Sequence, residues 1–354
     1  MSTKTRLVAE IGLLLYPDCQ LSAIYGLTDL FRIANDIARS ADSPNAIRVS
    51  HWRQEDADIV CIFDTDPKAP HSLTHVVTPP SLVVPEQMQK MTAFADWMSG
   101  LHRGGATLCS VCAGAFVLAE TGLLSGRPAT THWAFAKTLG SRFPTVRVDA
   151  DRMLIDDGDI ITAGGILAWT DLGLTLVERL LGPSVMLSTS RFLLVDPPGR
   201  AQRPYAQFVP MLRHGDASIL AIQHWMQATG AREISVAALA QRAGLEERTF
   251  MRRFKLATGL RPTEYAQQIR VEKARELLEH TRTSVDQIAW TVGYSDSSAF
   301  RRIFQRVTGL APAEYRRRFG VASDELTAPA GALAHSLTEK SKKRADLGPP
   351  PSTG

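Results

Sequence analysis

The most reactive pattern in the first half of the chain is a thiol placed at a change of backbone period. Cys112 ends an apolar stretch of strand character at residues 106–111 and is followed by Ala113-Gly114 and a helical stretch at 115–121. A strand-to-helix elbow presents a nucleophile at a helix N-terminus, where the dipole favours the thiolate. Further on, Thr130-Thr131-His132-Trp133 offers a base at His132. Cys109-Ser110-Val111-Cys112 has the CxxC spacing of a redox pair, but strand alternation turns Cys109 away from Cys112, so two unpaired thiols are expected. His51, His71, His75, His102 and His132 show no metal-ligand spacing, and neither metal nor cofactor is expected. Trp133 and Trp169 can line a pocket beside the elbow, where an aromatic face favours a cationic ligand; each also fits an ordinary core position.

The second half carries a different chemistry, written twice. Val236, Leu239, Ala240, Ala243 and Gly244 recur as Val285, Ile288, Ala289, Val292 and Gly293. Phe250, Phe254, Gly259, Pro262, Glu264 and Tyr265 recur as Phe300, Phe304, Gly309, Pro312, Glu314 and Tyr315. The offset changes from 49 to 50 between the two groups, so one residue is inserted after the glycine of the second copy. Each copy reads as helix, glycine turn, helix, at about 236–257 and 285–308. The phenylalanines, four apart, pin one face of each second helix to a core. The other face offers Arg248, Met251, Arg252 and Lys255 in the first copy, and Ser298, Ala299, Arg301, Arg302 and Arg306 in the second. This is a helix-turn-helix layout with a basic outer face, suited to the major groove, where arginine reads guanine bidentately.

The elements that must carry these groups follow from composition and period. The 354 residues (38.7 kDa) are 44% hydrophobic and 21% charged, enough for two cored domains. No apolar run reaches the ~18 residues that span a bilayer, and the N-terminus lacks a signal-type core. Four cysteines make no disulfide framework, so a cytoplasmic location is expected. Residues 1–215 hold 19 Lys and Arg against 21 Asp and Glu, whereas residues 216–320 hold 17 against 11, a net +6. A basic block of that size favours nucleic acid.

The front half alternates. Strands are expected at 7–15, 59–63 and 82–84, the last two short and buried, and a hairpin around Asp156-Asp157-Gly158-Asp159. Helices are expected at 24–40 and 172–181, and Met88, Met91, Ala95 and Met98 share a helical face. The pattern predicts an α/β sandwich of flavodoxin-like type, with a mostly parallel sheet covered on both faces, over residues 1–190. Residues 191–215, with Asp196-Pro197-Pro198-Gly199 and His214-Gly215, read as a linker. Residues 216–320 read as all-α, and 321–354 as a disordered tail.

Two resemblances sharpen this reading. The run Gly293-Tyr294-Ser295-Asp296-Ser297-Ser298-Ala299-Phe300-Arg301-Arg302-Ile303-Phe304, then Thr308-Gly309-Leu310-Ala311-Pro312-Ala313-Glu314-Tyr315-Arg316, resembles the AraC/XylS-type transcriptional regulators over residues 216–319. That family implies two helix-turn-helix units joined by a long helix, here 263–279 with Val271, Ala274 and Leu278 on one face. The resemblance places Arg248, Met251, Arg252, Ala299, Arg301 and Arg302 where family members touch bases. Double-stranded DNA and RNA polymerase are the implied partners, and a homodimer the implied state.

The segment from Cys112 through Gly122-Leu123-Leu124 to His132 resembles the PfpI-type branch of the class I glutamine amidotransferase-like superfamily, over about residues 5–190. The two domains in this order resemble the GlxA-like regulators. Hydrolytic relatives place a glutamate where this chain has Ser22. They also place a Gly-Gly oxyanion hole where it has Val84-Pro85-Glu86-Gln87. Loss of one oxyanion donor alone costs about 10²–10³ in rate. The expectation is therefore a DNA-binding regulator, not an enzyme. Its degenerate site at Cys112 and His132 would bind a small effector, an amino acid or a quaternary amine, with Ser22, Cys112, His132 and Trp133 lining the pocket. The alternative is an active cysteine amidase or deglycase fused to a DNA-binding module.

Overall fold

The computed structural model describes residues 6–321, apart from Glu233. The tail expected at 321–354 therefore lies, from residue 322 on, outside the described residues. The chain divides into two compact units, Met1–Ala206 and Gln207–Gly354.

Unit 1 is built on a seven-stranded sheet. Its strands are β1 (Arg6–Leu15), β2 (Asn45–Glu55), β3 (Asp58–Asp64), β4 (His75–Thr78), β5 (Thr107–Val111), β8 (Leu154–Asp156) and β9 (Ile160–Ala163). A two-residue pair, β6 (Pro128–Ala129) and β7 (Arg147–Val148), stands apart. The order is β3-β2-β1-β4-β5-β9-β8, parallel throughout except for the antiparallel edge strands β3 and β8. Every residue of β4 and β9 is buried, as expected of strands covered on both faces. Helices α1 (Leu21–Ser40), α5 (Trp169–Leu181) and α6 (Pro183–Leu193) pack together, and α2 (Thr92–Arg103) packs on α3 (Gly114–Glu120).

Four expectations need correction. Residues 82–84 are not a strand. The strand at this place is β4, two polar ends around Val76 and Val77, stopped by Pro79-Pro80; Leu82 is 66% exposed and only Ser81 bridges to Cys19. Residues 59–63 do form a strand, but as the half-exposed edge β3. Met88 and Met91 precede α2, because the Glu120 carboxylate takes the Met91 N–H and the helix starts at Thr92. Unit 1 ends at Ala206, not 190, because residues 200–203 are pinned to it: Arg200 to Asp171, Gln202 inside the fold, and Arg203 to Asp151.

Unit 2 is all-helical: α7 (Ala217–Thr229), α8 (Val236–Arg242), α9 (Glu247–Thr258), α10 (Pro262–His280), α11 (Val285–Thr291), α12 (Ser297–Thr308) and α13 (Pro312–Phe319). Two separate cores share the long α10. Its first half gives Tyr265, Ala266 and Ile269 to the core of Ile222, Leu239, Phe250 and Phe254. Its second half gives Val271, Ala274 and Leu278 to the core of Ile288, Val292, Phe300 and Phe304. The duplication extends to the hydrogen bonds. Thr258 donates to the carbonyl of Phe254 and accepts from the Leu260 N–H; Thr308 does the same with Phe304 and Leu310. Gly244 and Gly293 turn between the helices at φ +65° and +92°, where a side chain is strained.

Candidate functional site

The recognition face is set by what each second helix buries. Phe250 and Phe254, and Phe300 and Phe304, are fully buried; their ring centroids lie 5.5 and 5.6 Å apart. Phe254 meets Tyr265 edge-on at 5.4 Å, and Phe304 meets Tyr315 at 5.4 Å, so both helices are locked in the same rotation. That rotation turns Arg248, Arg252 and Lys255 of α9 to solvent, with Met251 half-buried among them. On α12 it exposes Ser298, Arg301, Arg302 and Arg306, with Ala299 half-buried.

The arginines are not equivalent. Arg301 is ion-paired with Asp286 of α11 at 2.8 Å, and Arg306 donates to the Gln267 side-chain oxygen at 2.7 Å. Arg253 faces inward and grips Asp216, the N-cap of α7, through two bonds of 2.8 and 2.7 Å. Among the described residues the side chains of Arg248, Arg252, Lys255 and Arg302 make no hydrogen bond or ion pair. The two helix starts also differ. Asp296 caps α12 by accepting from the N–H groups of Ser298 and Ala299, whereas Glu246 makes no side-chain cap on α9.

In unit 1 the elbow forms as expected, with Cys112 at φ +54°. Its N–H donates to the Ala163 carbonyl at 2.8 Å and its carbonyl accepts from Thr131 Oγ1 at 2.7 Å, which holds the strained backbone. The residue, however, is 2% exposed. Burial pushes its thiol up to about 12, against the weaker pull of the Ala113 N–H. A poised thiolate at the helix N-terminus is thereby corrected: desolvation outweighs the dipole. Cys109, fully buried, is likewise pushed up to about 12, and both thiols are free.

Among the described residues, the His132 ring makes no hydrogen bond to the thiol. Its Nδ1 accepts from the Ala134 N–H at 3.2 Å, and its ring stacks between Trp133 and Phe135, each centroid 5.3 Å away. Burial lowers its pKa. Ser22 is exposed at the start of α1, and Glu86, also exposed, accepts from Thr138. Trp169 is wedged against Gly26 of α1.

Two residues that sequence reasoning missed lie at this site. Tyr16 is buried and donates to the Pro79 carbonyl; burial, with Cys19 and Cys112 adjacent, raises its pKa well above the usual phenol range. Gln202 is 2% exposed. Its oxygen accepts from the Trp133 N–H at 3.0 Å, and its amide nitrogen reaches the Thr131 carbonyl, the Arg152 carbonyl and Thr130 Oγ1 at 2.9, 2.9 and 3.1 Å. A Cβ on Gly164 would lie 2.1 Å from that nitrogen. A separate cavity of about 860 Å³ opens between α1 and the β2–β3 edge, beside Tyr25, Thr28, Arg32 and Phe63. None of the four expected pocket residues lines it.

The folds together define a DNA-binding protein with two tandem helix-turn-helix units and an amidotransferase-like companion unit. Residues 239–318 match the helix-turn-helix domain family and residues 69–179 the DJ-1/PfpI family. The chain is similar to the HTH-type transcriptional regulator GlxA of Rhizobium meliloti, 30% identical over 223 residues, covering 62% of this chain and 68% of the relative. It is also similar to the regulators CdhR and ArgR of Pseudomonas aeruginosa. CdhR is 28% identical over 244 residues (69% of this chain, 72% of CdhR) and ArgR 29% over 211 residues (58% and 63%). The chain belongs to the AraC-type transcriptional regulators that carry a DJ-1/PfpI domain. As a member it is a DNA-binding regulator of transcription.

Proposed function

We propose that α9 and α12 each enter a major groove of one duplex. Arg252 and Arg302 read base edges, Met251 and Ala299 meet apolar base surfaces, and Arg248, Lys255 and Ser298 hold phosphates. Arg301 and Arg306 join them after leaving Asp286 and Gln267. The observation that carries this reading is the equivalent rotation of the two helices, which exposes unpaired arginines at Arg252 and Arg302 while burying both phenylalanine pairs. In a binding titration of the full-length chain, affinity for duplex DNA should fall steeply as salt rises, because phosphate contacts release counterions. Binding that is absent, or indifferent to salt, overturns it.

Unit 1 is, in this proposal, a sensor without turnover, in a cytoplasmic homodimer that acts on RNA polymerase. The raised Cys112 thiol, the engagement of His132 Nδ1 with the Ala134 N–H, and Ser22 and Glu86 in place of catalytic groups support binding over chemistry. The effector, an amino acid or quaternary amine, would sit on His132 and Trp133 at the mouth of the elbow. A second reading places it in the α1–β2 cavity, whose volume suits a metabolite. A thermal-shift screen separates the two. A ligand at 100 times its Kd should add ~2.7 kcal/mol, lost in Trp133→Ala for the first site and in Tyr25→Ala for the second.

A further inference from the structure

One group of side chains away from the elbow has the composition of a metal site. Cys61, Asp64 and His71 bring a thiol, a carboxylate and an imidazole to one place, each offering a ligand atom within 4.8 Å of the others. The three come together through a fault in the sheet. Residues 61 and 64 are an odd number apart and would face opposite sides of a regular strand. In β3, Asp64 pairs with Ser50 and Phe63 with His51, but Cys61 pairs with Trp52, leaving Ile62 as the extra residue of a bulge. A bulge of this kind re-aims side chains, and here it returns Cys61 and Asp64 to one face. The loop before β4 then supplies His71.

The surroundings match those of a ligand set. His71 Nδ1 is hydrogen-bonded to Glu10 Oε1 at 2.6 Å, and its Nε2 faces Asp64 Oδ2 at 3.7 Å. A carboxylate on the far ring nitrogen is the arrangement that fixes tautomer and aim in metal-ligating histidines. Glu10 is buried and is itself held by Ser50 Oγ and the Ser72 N–H. Asp64 is held from behind by Arg48. Two carboxylates against one guanidinium leave one negative charge uncompensated beside His71. A thiolate and a dication added to that set would bring it to neutrality.

We propose that unit 1 binds a zinc-class divalent cation through Cys61 Sγ, an Asp64 oxygen and His71 Nε2, with one coordination position open to solvent. Mixed sulfur, nitrogen and oxygen donors in a set of three with an open place suit zinc better than magnesium or calcium. The thiol proton leaves to solvent as the metal–sulfur bond forms, with no change of oxidation state. Glu10 and Arg48 are positioning residues.

The test uses the reduced full-length chain, cobalt(II) as an optical stand-in and zinc for affinity by chelator competition. Cobalt should produce a thiolate charge-transfer band, absent in Cys61→Ser, and zinc affinity should fall at least tenfold in Cys61→Ser and in His71→Ala. Because a variant can misfold, the unaltered chain gives an independent reading: zinc should protect Cys61 from alkylation, mapped by mass spectrometry. No cobalt band at saturation, a band that survives Cys61→Ser, or Cys61 alkylation unaffected by zinc overturns the proposal.

Discussion

Replacing Gln202 with alanine should free the segment that follows α6 from unit 1. The carboxamide offers two N–H groups and one oxygen and satisfies the Trp133 N–H, Thr130, and the carbonyls of Thr131 and Arg152. At about 1 kcal/mol net per bond, three full bonds amount to about 3 kcal/mol if the vacated space stays dry. A water entering among those polar groups restores part, which sets a floor of about 1 kcal/mol. The chain has two units, so one global melting curve is a poor measure. Hydrogen exchange on the full-length protein is better. The Gln202, Tyr205 and Ala206 amides are bonded to Asp151 and Gln202 carbonyls and report directly on the segment. Their protection should fall by a factor between about 5 and 150. Gly164→Ala should do the same from the other side, since its new methyl occupies the place of the Gln202 amide. The double variant should lose less than the sum, because the truncated side chain makes room for the methyl. Unchanged protection in Gln202→Ala, or strictly additive losses in the pair, would refute the anchoring role.

Arg252→Ala and Arg302→Ala should each cost about 1–3 kcal/mol on a selected DNA site and much less on random duplex, measured by anisotropy at fixed salt. Equal losses on both would reduce them to phosphate contacts. Arg301→Ala should cost less than Arg302→Ala, because its ion pair with Asp286 must first be given up. Cys112 should resist thiol reagents near neutral pH, where a thiol at about 12 is protonated, and half-exposed Cys61 should react first, as peptide mapping will show. Cys112→Ser should leave folding and DNA binding intact. Neither form should turn over amides, esters or glyoxals in steady-state assays; turnover lost with Cys112→Ser would establish an enzyme. Burial holds His51 and His75 at about 4, below the unfolded value of 6.5, so the unfolded chain takes up more protons as pH falls from about 6.5 towards 4. Unit 1 should lose on the order of 3 kcal/mol per histidine over that window, seen as acid-shifted denaturation; His51→Gln should flatten the profile.

The tandem helical units were legible because their defining devices are local: phenylalanines four apart and a glycine turn. The elbow was legible for the same reason, and its positive φ is where the change from strand to helix puts it. The thiol's burial was not, because a neighbour such as Tyr16 arrives from beyond the end of β1, far away in sequence. Strand β4 was hidden by His75 and Thr78, polar residues that a fully buried strand tolerates once bonded to Thr74 and Cys109. Gln202 was hidden most completely. A single amide anchors a stretch whose prolines and glycine read as linker, and no periodicity records a bond to residues 72 positions away.

Glu246 and Asp296 are the matched N-caps of α9 and α12, yet only the shorter Asp296 caps through its side chain, and the outward positions have drifted apart in chemistry as well: Arg248 stands opposite Ser298, Met251 opposite Arg301, Leu256 opposite Arg306. If both helices read bases as proposed, two readers with matching posture and unlike vocabularies would not accept a site whose halves are exchanged. One chain on its duplex would then have a polarity. It would distinguish upstream from downstream without a partner, and a target sequence inverted in place would present the opposite side of the regulator to whatever machinery waits beside it.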